Sequence, residues 1–278
     1  MRYYTQQDIV FLKRKANDIR RDIIHMIHKA GAGHPGGSLS AADIVTALYF
    51  HVMRVDATNP EWEDRDRFIL SKGHACPVWY AALAEKGYFG MEHLDTLRKF
   101  HSILQGHPVM VKTPGIDMTT GSLGNGLSLG IGMALSAKAK KKDYKVYVML
   151  GDGELQEGMV WEAAMAGAHY NLDNLTAIID NNGLQVDGWV QDIMNVYPIV
   201  EKFKAFGWYI IEINGHDMYE ILNAFQEVSK VKGPVAIIAK TVKGKGVSFM
   251  ENECKWHGLA PNDDEARMAF QELAREVV

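Results

Sequence analysis

Cysteine is scarce in this chain. Cys76 and Cys254 are the two among 278 residues, which excludes a disulfide framework and fits a reducing compartment. Long apolar runs are missing too. None approaches the ~20 residues that cross a bilayer as a helix, so no membrane role is expected. Charge from Arg2 and Asp8 onward argues against a secretory leader, and the cytoplasm is the expected location. Excess positive charge is also absent. The 30 Lys and Arg stand against 34 Asp and Glu, a formal net charge of −4, and a nucleic-acid surface needs the opposite balance. Repeats, low-complexity tracts and internal linkers are not seen. What remains is an ordinary enzyme-like composition, 47% hydrophobic. A chain of this length can bury a sizeable core, and one large α/β domain over 1–278 is expected rather than two small ones.

Apolar spacing supplies the elements. Ile9, Leu12, Ala16, Ile19, Ile23 and Ile27 recur three or four apart, which predicts an amphipathic helix over 8–29. "GAGHPGG" (31–37) ends it, and Ser40 with Asp43 reads as a capping box opening "AADIVTALYF". "RFILS" (67–71) predicts a short strand, followed by "KGHA" and a helix through "VWYAALAEKG". "TTGSLGNG" (119–126) leads into a Gly- and Ala-rich helix whose "KAKKK" end suits the helix dipole. "KVYVML" (145–150), "LTAIID" (175–180), "WYIIEI" (208–213) and "VAIIAKT" (235–241) read as buried strands separated by helices, with Asp217 and Glu220 capping the helix after the third. Residues 241–258 read as a glycine-punctuated loop, and an amphipathic helix follows. Strands alternating with helices imply a mostly parallel sheet flanked by helices, a three-layer α/β fold.

The stretch "YVMLGDGELQEG" (147–158) runs a strand into glycines, as above a bound phosphate, yet carries Asp152, Glu154 and Glu157 and no lysine. In open parallel sheets, ligands bind beyond the carboxyl ends of the strands. Asp152 lies just past one strand end and Asn182 just past the next. A carboxylate and a carboxamide are hard oxygen ligands for Mg²⁺ or Ca²⁺, and a diphosphate would complete the shell. Gly151 and Gly153 let backbone come close. Each of Asp152 and Asn182 alone is more often a turn former. The pair carries the weight.

The longer stretch "GDGELQEGMVWEAAMAGAHYNLDNLTAIIDNN" (151–182) resembles the thiamine-diphosphate signature, a GDG followed about thirty residues later by a strand ending in Asn. "GHPGGSLSAADI", "DRFILSKGHACPVWYAALAEKGY", "QGHP", "TTGSLGNGLSLGIGMA" and "WHG" resemble transketolase, in its order, from about residue 17 to 260. Acetohydroxyacid synthase and the decarboxylases share the GDG…N motif without this histidine set. Similarity covers only the N-terminal, diphosphate-binding (PP-type) portion of transketolase.

The resemblance implies a thiamine-diphosphate-binding fold with thiamine diphosphate and Mg²⁺ (or Ca²⁺) as cofactors. Asp152 and Asn182 would bind the metal by side chain and Leu184 by its carbonyl. Gly153 would meet the diphosphate through its N–H, and Gly121, Ser122 and Leu123 would lie along the aminopyrimidine and linker. His74 and Lys243 would approach the cofactor, with Glu162 and His257 counted in the same set. His34, His107 and His257 would line the reaction centre, and Glu157 and Glu162 would sit near a subunit contact. Breaking the C2–C3 bond of a ketose requires taking a proton from its C3 hydroxyl and later protonating the acceptor aldehyde oxygen. An imidazole can do both, while the cofactor is the electron sink. His25, His28, His51, His93, His101 and His169 are read as surface or packing residues, and His216 in "NGHD" as a turn residue before the Asp217 cap.

The pyrimidine and C-terminal domains of the family do not follow, since the sequence stops at "ELAREVV". The expectation is a split enzyme: this chain as the N-terminal subunit, and a C-terminal transketolase subunit carrying the pyrimidine domain as its partner, in a heterotetramer. A truncated piece of a longer protein is the alternative. The expected reaction moves a two-carbon ketol unit between sugar phosphates, for example from xylulose 5-phosphate to ribose 5-phosphate. Ketol transfer on a different sugar, and a non-catalytic thiamine-diphosphate-binding relative, are the other readings.

Overall fold

The computed structural model describes residues 3–275. Arg2, invoked above for N-terminal charge, and the final "EVV" of the sequence lie outside them. Helix α1 spans Gln6–Ala30. It starts before the first periodic residue because Thr5 and Asp8 form a reciprocal capping box, Asp8 N–H to Thr5 Oγ1 at 3.2 Å and Thr5 N–H to Asp8 Oδ2 at 2.7 Å. It ends on Gly31, at φ 63°.

Helix α2 (Pro35–Ala47) corrects one expectation. It opens on Pro35, whose fixed φ suits the first helical position, so Ser40 and Asp43 are interior and buried. They form no capping box. Ser40 Oγ reaches Asp180 Oδ2 at 2.6 Å, and Asp43 takes Arg20 and His216. Buried polar groups need partners, and these two find theirs across the core instead of at a helix end.

Strand β1 (Arg67–Leu70) leads into α3 (Cys76–Lys86), and α4 (Asn125–Ala139) precedes β2 (Val146–Gly151). Then come α5 (Gly158–His169), β3 (Leu175–Asn181), the short α6 (Val190–Ile193) and α7 (Ile199–Ala205). Strand β4 (Tyr209–Asn214), α8 (Met218–Val228), β5 (Val235–Lys240) and α9 (Asp263–Arg275) complete the order. Asp217 caps α8 by accepting from Tyr219 N–H at 2.8 Å, while Glu220 reaches further back, to Asn214 N–H at 2.7 Å.

The sheet runs β1-β2-β3-β5-β4, and its pairings are parallel. Alternate residues feed opposite layers, as strand geometry requires. Tyr147 and Met149 of β2 join a core with α1, α2, α3 and α8, whereas Val146, Val148 and Leu150 join one with α4, α5 and α7. Covering both faces makes three layers, helices–sheet–helices. Burying one aliphatic side chain contributes ~1.5–3 kcal/mol, and Ile19, Ile23, Ile24, Ile178 and Ile179 are all fully buried. The reading of "WYIIEI" as a buried strand is also corrected. Strand β4 is at the sheet edge, with Tyr209 46% exposed and Glu212 on the surface; Ile211 and Ile213 enter one core, while Trp208 and the half-buried Ile210 pack against the other. No helix among the described residues is long and apolar enough to cross a membrane.

Candidate functional site

Register brings the strand ends together. Gly151 pairs with Asp180, and Asn181 pairs with Lys240. The next residues, Asp152, Asn182 and Thr241, therefore leave neighbouring strands within one residue of the same level, and Ser71 and Lys72 leave β1 beside them. A cavity of about 190 Å³ opens there, lined among others by Lys72, His74, Leu123, Asp152, Gly153, Glu157, Asn182, Leu184, Lys243 and His257.

Asp152 is 1% exposed. Its Oδ1 accepts from Gly153 N–H at 2.8 Å and its Oδ2 from Gly183 N–H at 2.5 Å, the residue after Asn182. The two loop tips thus touch. Burial, and then the nearby Asp180 charge, push the Asp152 carboxyl up to about 7. Among the described residues it has no ion-pair partner, and each oxygen keeps a second lone pair. Asn182 Oδ1 accepts from Leu184 N–H at 3.1 Å, and its Nδ2 donates to Asp180 at 3.2 Å. Lys243 is buried, and its ammonium donates to Leu184 O at 3.1 Å and Gln185 O at 3.4 Å. The carbonyl expected at a metal thus already faces a cation, and the Lys243 charge also reaches the neighbouring carboxylate without pairing with it. That donor set fits a hard divalent ion. Among the described residues no cluster of three or more His, Cys, Asp or Glu side chains is placed to hold a metal. A set of one carboxylate, one carboxamide and one carbonyl is outside that pattern.

Three histidines meet over this floor. The ring centroids of His34, His74 and His257 lie 5.1 Å (34–74), 5.4 Å (34–257) and 5.0 Å (74–257) apart. Burial, then the Arg98, His107 and Lys243 charges, lower His34 to about 4. Burial, then Lys243, lower His257 to about 3. Burial and the adjacent His257 hold His74 well below its ordinary value. All three are neutral imidazoles near pH 7. Lys243 Nζ lies 2.9 Å from His257 Nδ1, and an ammonium can only donate. The His257 proton therefore sits on Nε2. His34 Nδ1 is buried without a hydrogen-bond partner among the described residues. Burial, then the Arg98 charge, lower His107 as well.

His107 is exposed at the rim, packed on Gly121, where a Cβ would come within 3.2 Å of its Cδ2. Gly73 holds the "KGHA" turn against the "TTG" loop: a Cβ there would lie 2.7 Å from Thr120 Oγ1 and 2.8 Å from Thr120 C. Five expected residues are not in the cavity lining: His34, which meets it through the His74 and His257 rings, His107 and Gly121, packed on each other beside it, and Ser122 and Glu162, both exposed, Glu162 on α5 beyond Glu157.

Sequence reasoning gave no role to Lys72, Asp180 or Glu154. Lys72 forms a buried ion pair with Asp180 and donates to Gly37 O at 2.8 Å. Burial works upward on Asp180, but the Lys72 charge and the Lys72, Ser40 and Thr241 hydrogen bonds outweigh it and hold its carboxyl below the usual range. Glu154 accepts from Ser71 Oγ, Gly124 N–H (2.8 Å) and Gly151 N–H (3.0 Å), stapling three loops at once. All three residues lie inside the motifs named above. The missing signal was burial, which a single sequence does not carry.

A polar, glycine-lined crevice across parallel strand ends marks an α/β enzyme of the cofactor-binding kind. Residues 12–276 match the family model described as transketolase, thiamine diphosphate binding domain. The chain is 45% identical to an apulose-4-phosphate transketolase subunit of Phocaeicola vulgatus, over 96% of this chain and 95% of that one. It is 44% identical to the 6-deoxy-6-sulfo-D-fructose transketolase subunit SqwG of a Clostridium species, over 95% and 97%. The crystal structure of Campylobacter jejuni transketolase superposes with a TM-score of 0.91 at 34% identity, covering 98% of this chain and 43% of that one. This chain belongs to the transketolase family, as its thiamine diphosphate binding portion. Both of these relatives are named as transketolase subunits, and each is matched here over nearly its full length.

Proposed function

We propose that this chain is a single diphosphate-binding domain and the N-terminal subunit of a transketolase-type enzyme, active with a partner that carries the pyrimidine domain, in a heterotetramer. The enzyme moves a two-carbon ketol unit from a ketose phosphate to an aldose phosphate. The observation that carries this reading is the meeting of Asp152, Asn182, the Leu184 carbonyl and buried Lys243 beneath neutral histidines in one cavity. In this reading Asp152, Asn182 and Leu184 hold Mg²⁺ or Ca²⁺, with Gly153 and Lys243 at the diphosphate end, His74 and Leu123 along the rest of the cofactor, and Gly121 and Ser122 on the loop outside the cavity lining, toward the partner subunit. Thiamine diphosphate, when bound, supplies the electron sink for breaking the carbon–carbon bond.

The protein supplies proton traffic and position. His34, a neutral imidazole packed against His74 and His257, is the group that takes the proton of the ketose C3 hydroxyl and returns it to the acceptor oxygen. His257, held unprotonated at Nδ1 by Lys243, offers Nε2–H to a substrate oxygen. His107 closes the rim. A group poised to accept must be neutral, and burial beside cations keeps these rings neutral.

Two substrate readings divide here. Xylulose 5-phosphate with ribose 5-phosphate is the pair that the full-length family suggests. The two relatives above are named for apulose 4-phosphate and 6-deoxy-6-sulfo-D-fructose, which favours another sugar. The test is reconstitution with the partner subunit, thiamine diphosphate and Mg²⁺, then coupled assays with each of these donors and a panel of aldose acceptors. Ketol transfer to any acceptor supports the reading and its fastest donor sets the specificity. A reconstituted pair that cleaves no donor sinks it.

A further inference from the structure

Lys243 is reached through a network that touches the cavity nowhere else. Asp43, buried on α2, takes Arg20 Nη1 at 3.1 Å on Oδ1 and Arg20 Nη2 on Oδ2. The same Oδ2 lies 2.8 Å from His216 Nδ1. Each donor then grips one segment of backbone. Arg20 Nε donates to Lys245 O at 3.2 Å, and Val242 N–H donates to His216 Nε2 at 2.8 Å. A backbone N–H can only donate, so His216 Nε2 is the acceptor and the proton sits on Nδ1, pointing at Asp43. The His216 ring is thereby a fixed spacer between a buried carboxylate and the strap that carries Lys243.

We propose that Asp43, Arg20 and His216 form a clamp on residues 242–245, and that His216 is a positioning residue for the Lys243 ammonium. The proposal rests on the reading of the cavity as a diphosphate site. Lys243 lies between the two gripped positions. Its stem runs over Gly36, where a Cβ would come within 3.0 Å of Lys243 Cγ, and its ammonium reaches Leu184 O and His257 Nδ1. Gly244 N–H donates to Gly36 O at 3.0 Å, a further tie of the strap to α2. A lysine stem has four rotatable bonds and a single point charge, so its aim is set by where the backbone is held. His216 lies outside the lining of the cavity, and so acts on a ligand there only through the strap.

The test uses the full chain and two measurements. The first is amide hydrogen exchange over residues 242–246 for wild type, His216→Leu and His216→Gln. The second is the Kd for thiamine diphosphate with Mg²⁺, by calorimetry, for wild type, the His216 variants, Lys243→Ala and the double variant His216→Leu/Lys243→Ala. Leucine removes both hydrogen bonds, whereas glutamine keeps an acceptor for Val242 N–H. Exchange over 242–246 should rise in His216→Leu and return most of the way in His216→Gln. The Kd should rise about 10- to 100-fold in His216→Leu, the range seen when an outer-shell partner is lost, and recover in His216→Gln. The double variant should bind no more weakly than Lys243→Ala, because His216 acts through Lys243. Losses that multiply, a glutamine variant as weak as leucine, or unchanged exchange in His216→Leu would each overturn the clamp. A wild type that binds no thiamine diphosphate sinks the cofactor reading instead, and the exchange comparison then decides the clamp alone.

Discussion

Asp152→Asn should make this protein more stable and less useful. Asp152 is 1% exposed, and its carboxyl is pushed from its ordinary 3.8 up to about 7. At ~1.4 kcal/mol per unit, keeping it ionised inside the fold costs ~4 kcal/mol without a cation. The sign follows from the direction. A carboxyl raised in the folded state favours folding below about pH 4, and that advantage is lost as pH rises to about 7. Asparagine carries no charge but is an imperfect replacement. Gly153 N–H and Gly183 N–H both need an acceptor, and an amide offers one oxygen and one NH₂. The misplaced donor costs ~1–3 kcal/mol. The net expectation is ~1–3 kcal/mol of gain above pH 7 and a loss near pH 4, with a crossover between. Urea unfolding of both proteins in a chelator, from pH 4 to 8, measures the difference. His34 and His257, lowered to about 4 and 3, lose stability as pH falls from 6.5, but they occur in both proteins and cancel. With cofactor and Mg²⁺ at a hundredfold excess over Kd, the wild type should gain ~2.7 kcal/mol and the variant little. A pH-independent difference, or a variant less stable at pH 8, would refute the argument that Asp152 is a charge waiting for a cation.

Lys72→Met should cost ~3–5 kcal/mol in thermal or urea unfolding, because it leaves fully buried Asp180 without its cation; a neutral outcome would mean water reaches that carboxylate. Gly73→Ala should cost ~1–3 kcal/mol, since the new methyl would collide with Thr120 backbone and hydroxyl; unchanged melting would show that the loop yields freely. In the reconstituted enzyme, His34→Ala should lower kcat/KM by ~10²–10⁴-fold with cofactor affinity kept, and equal losses in both would make it a packing residue. The acid limb of kcat/KM should lie well below 6.5, because His34 and His257 stay neutral there; a limb at 6.5 would assign the chemistry to another group.

The parallel sheet and its crevice were legible because they depend on local pattern. Four of the five strands read as apolar runs of the buried kind, and "GDG" and "DNN" sit where those runs end. The failures share one cause. Ser40 and Asp43 have the spacing of a cap, yet Pro35 starts the helix earlier and moves them inside. His216 has the neighbours of a turn residue, and it does precede the Asp217 cap, but its ring bridges Asp43 and Val242. "WYIIEI" is as apolar as its neighbours, but chain order does not say which strand is last in the sheet.

Sequence alone therefore determined the alternation of strands and helices, and the chemical identity of the groups beyond the strand ends. Those follow from periodicity and residue type, which act over a few positions. Tertiary structure decided which of the groups are buried and what each one faces: Lys72 on Asp180, Lys243 on Leu184 and His257, three imidazoles sharing one floor. Charge and proton affinity depend on desolvation and on neighbours a few ångströms away, and those neighbours come from segments that only the folded sheet brings together.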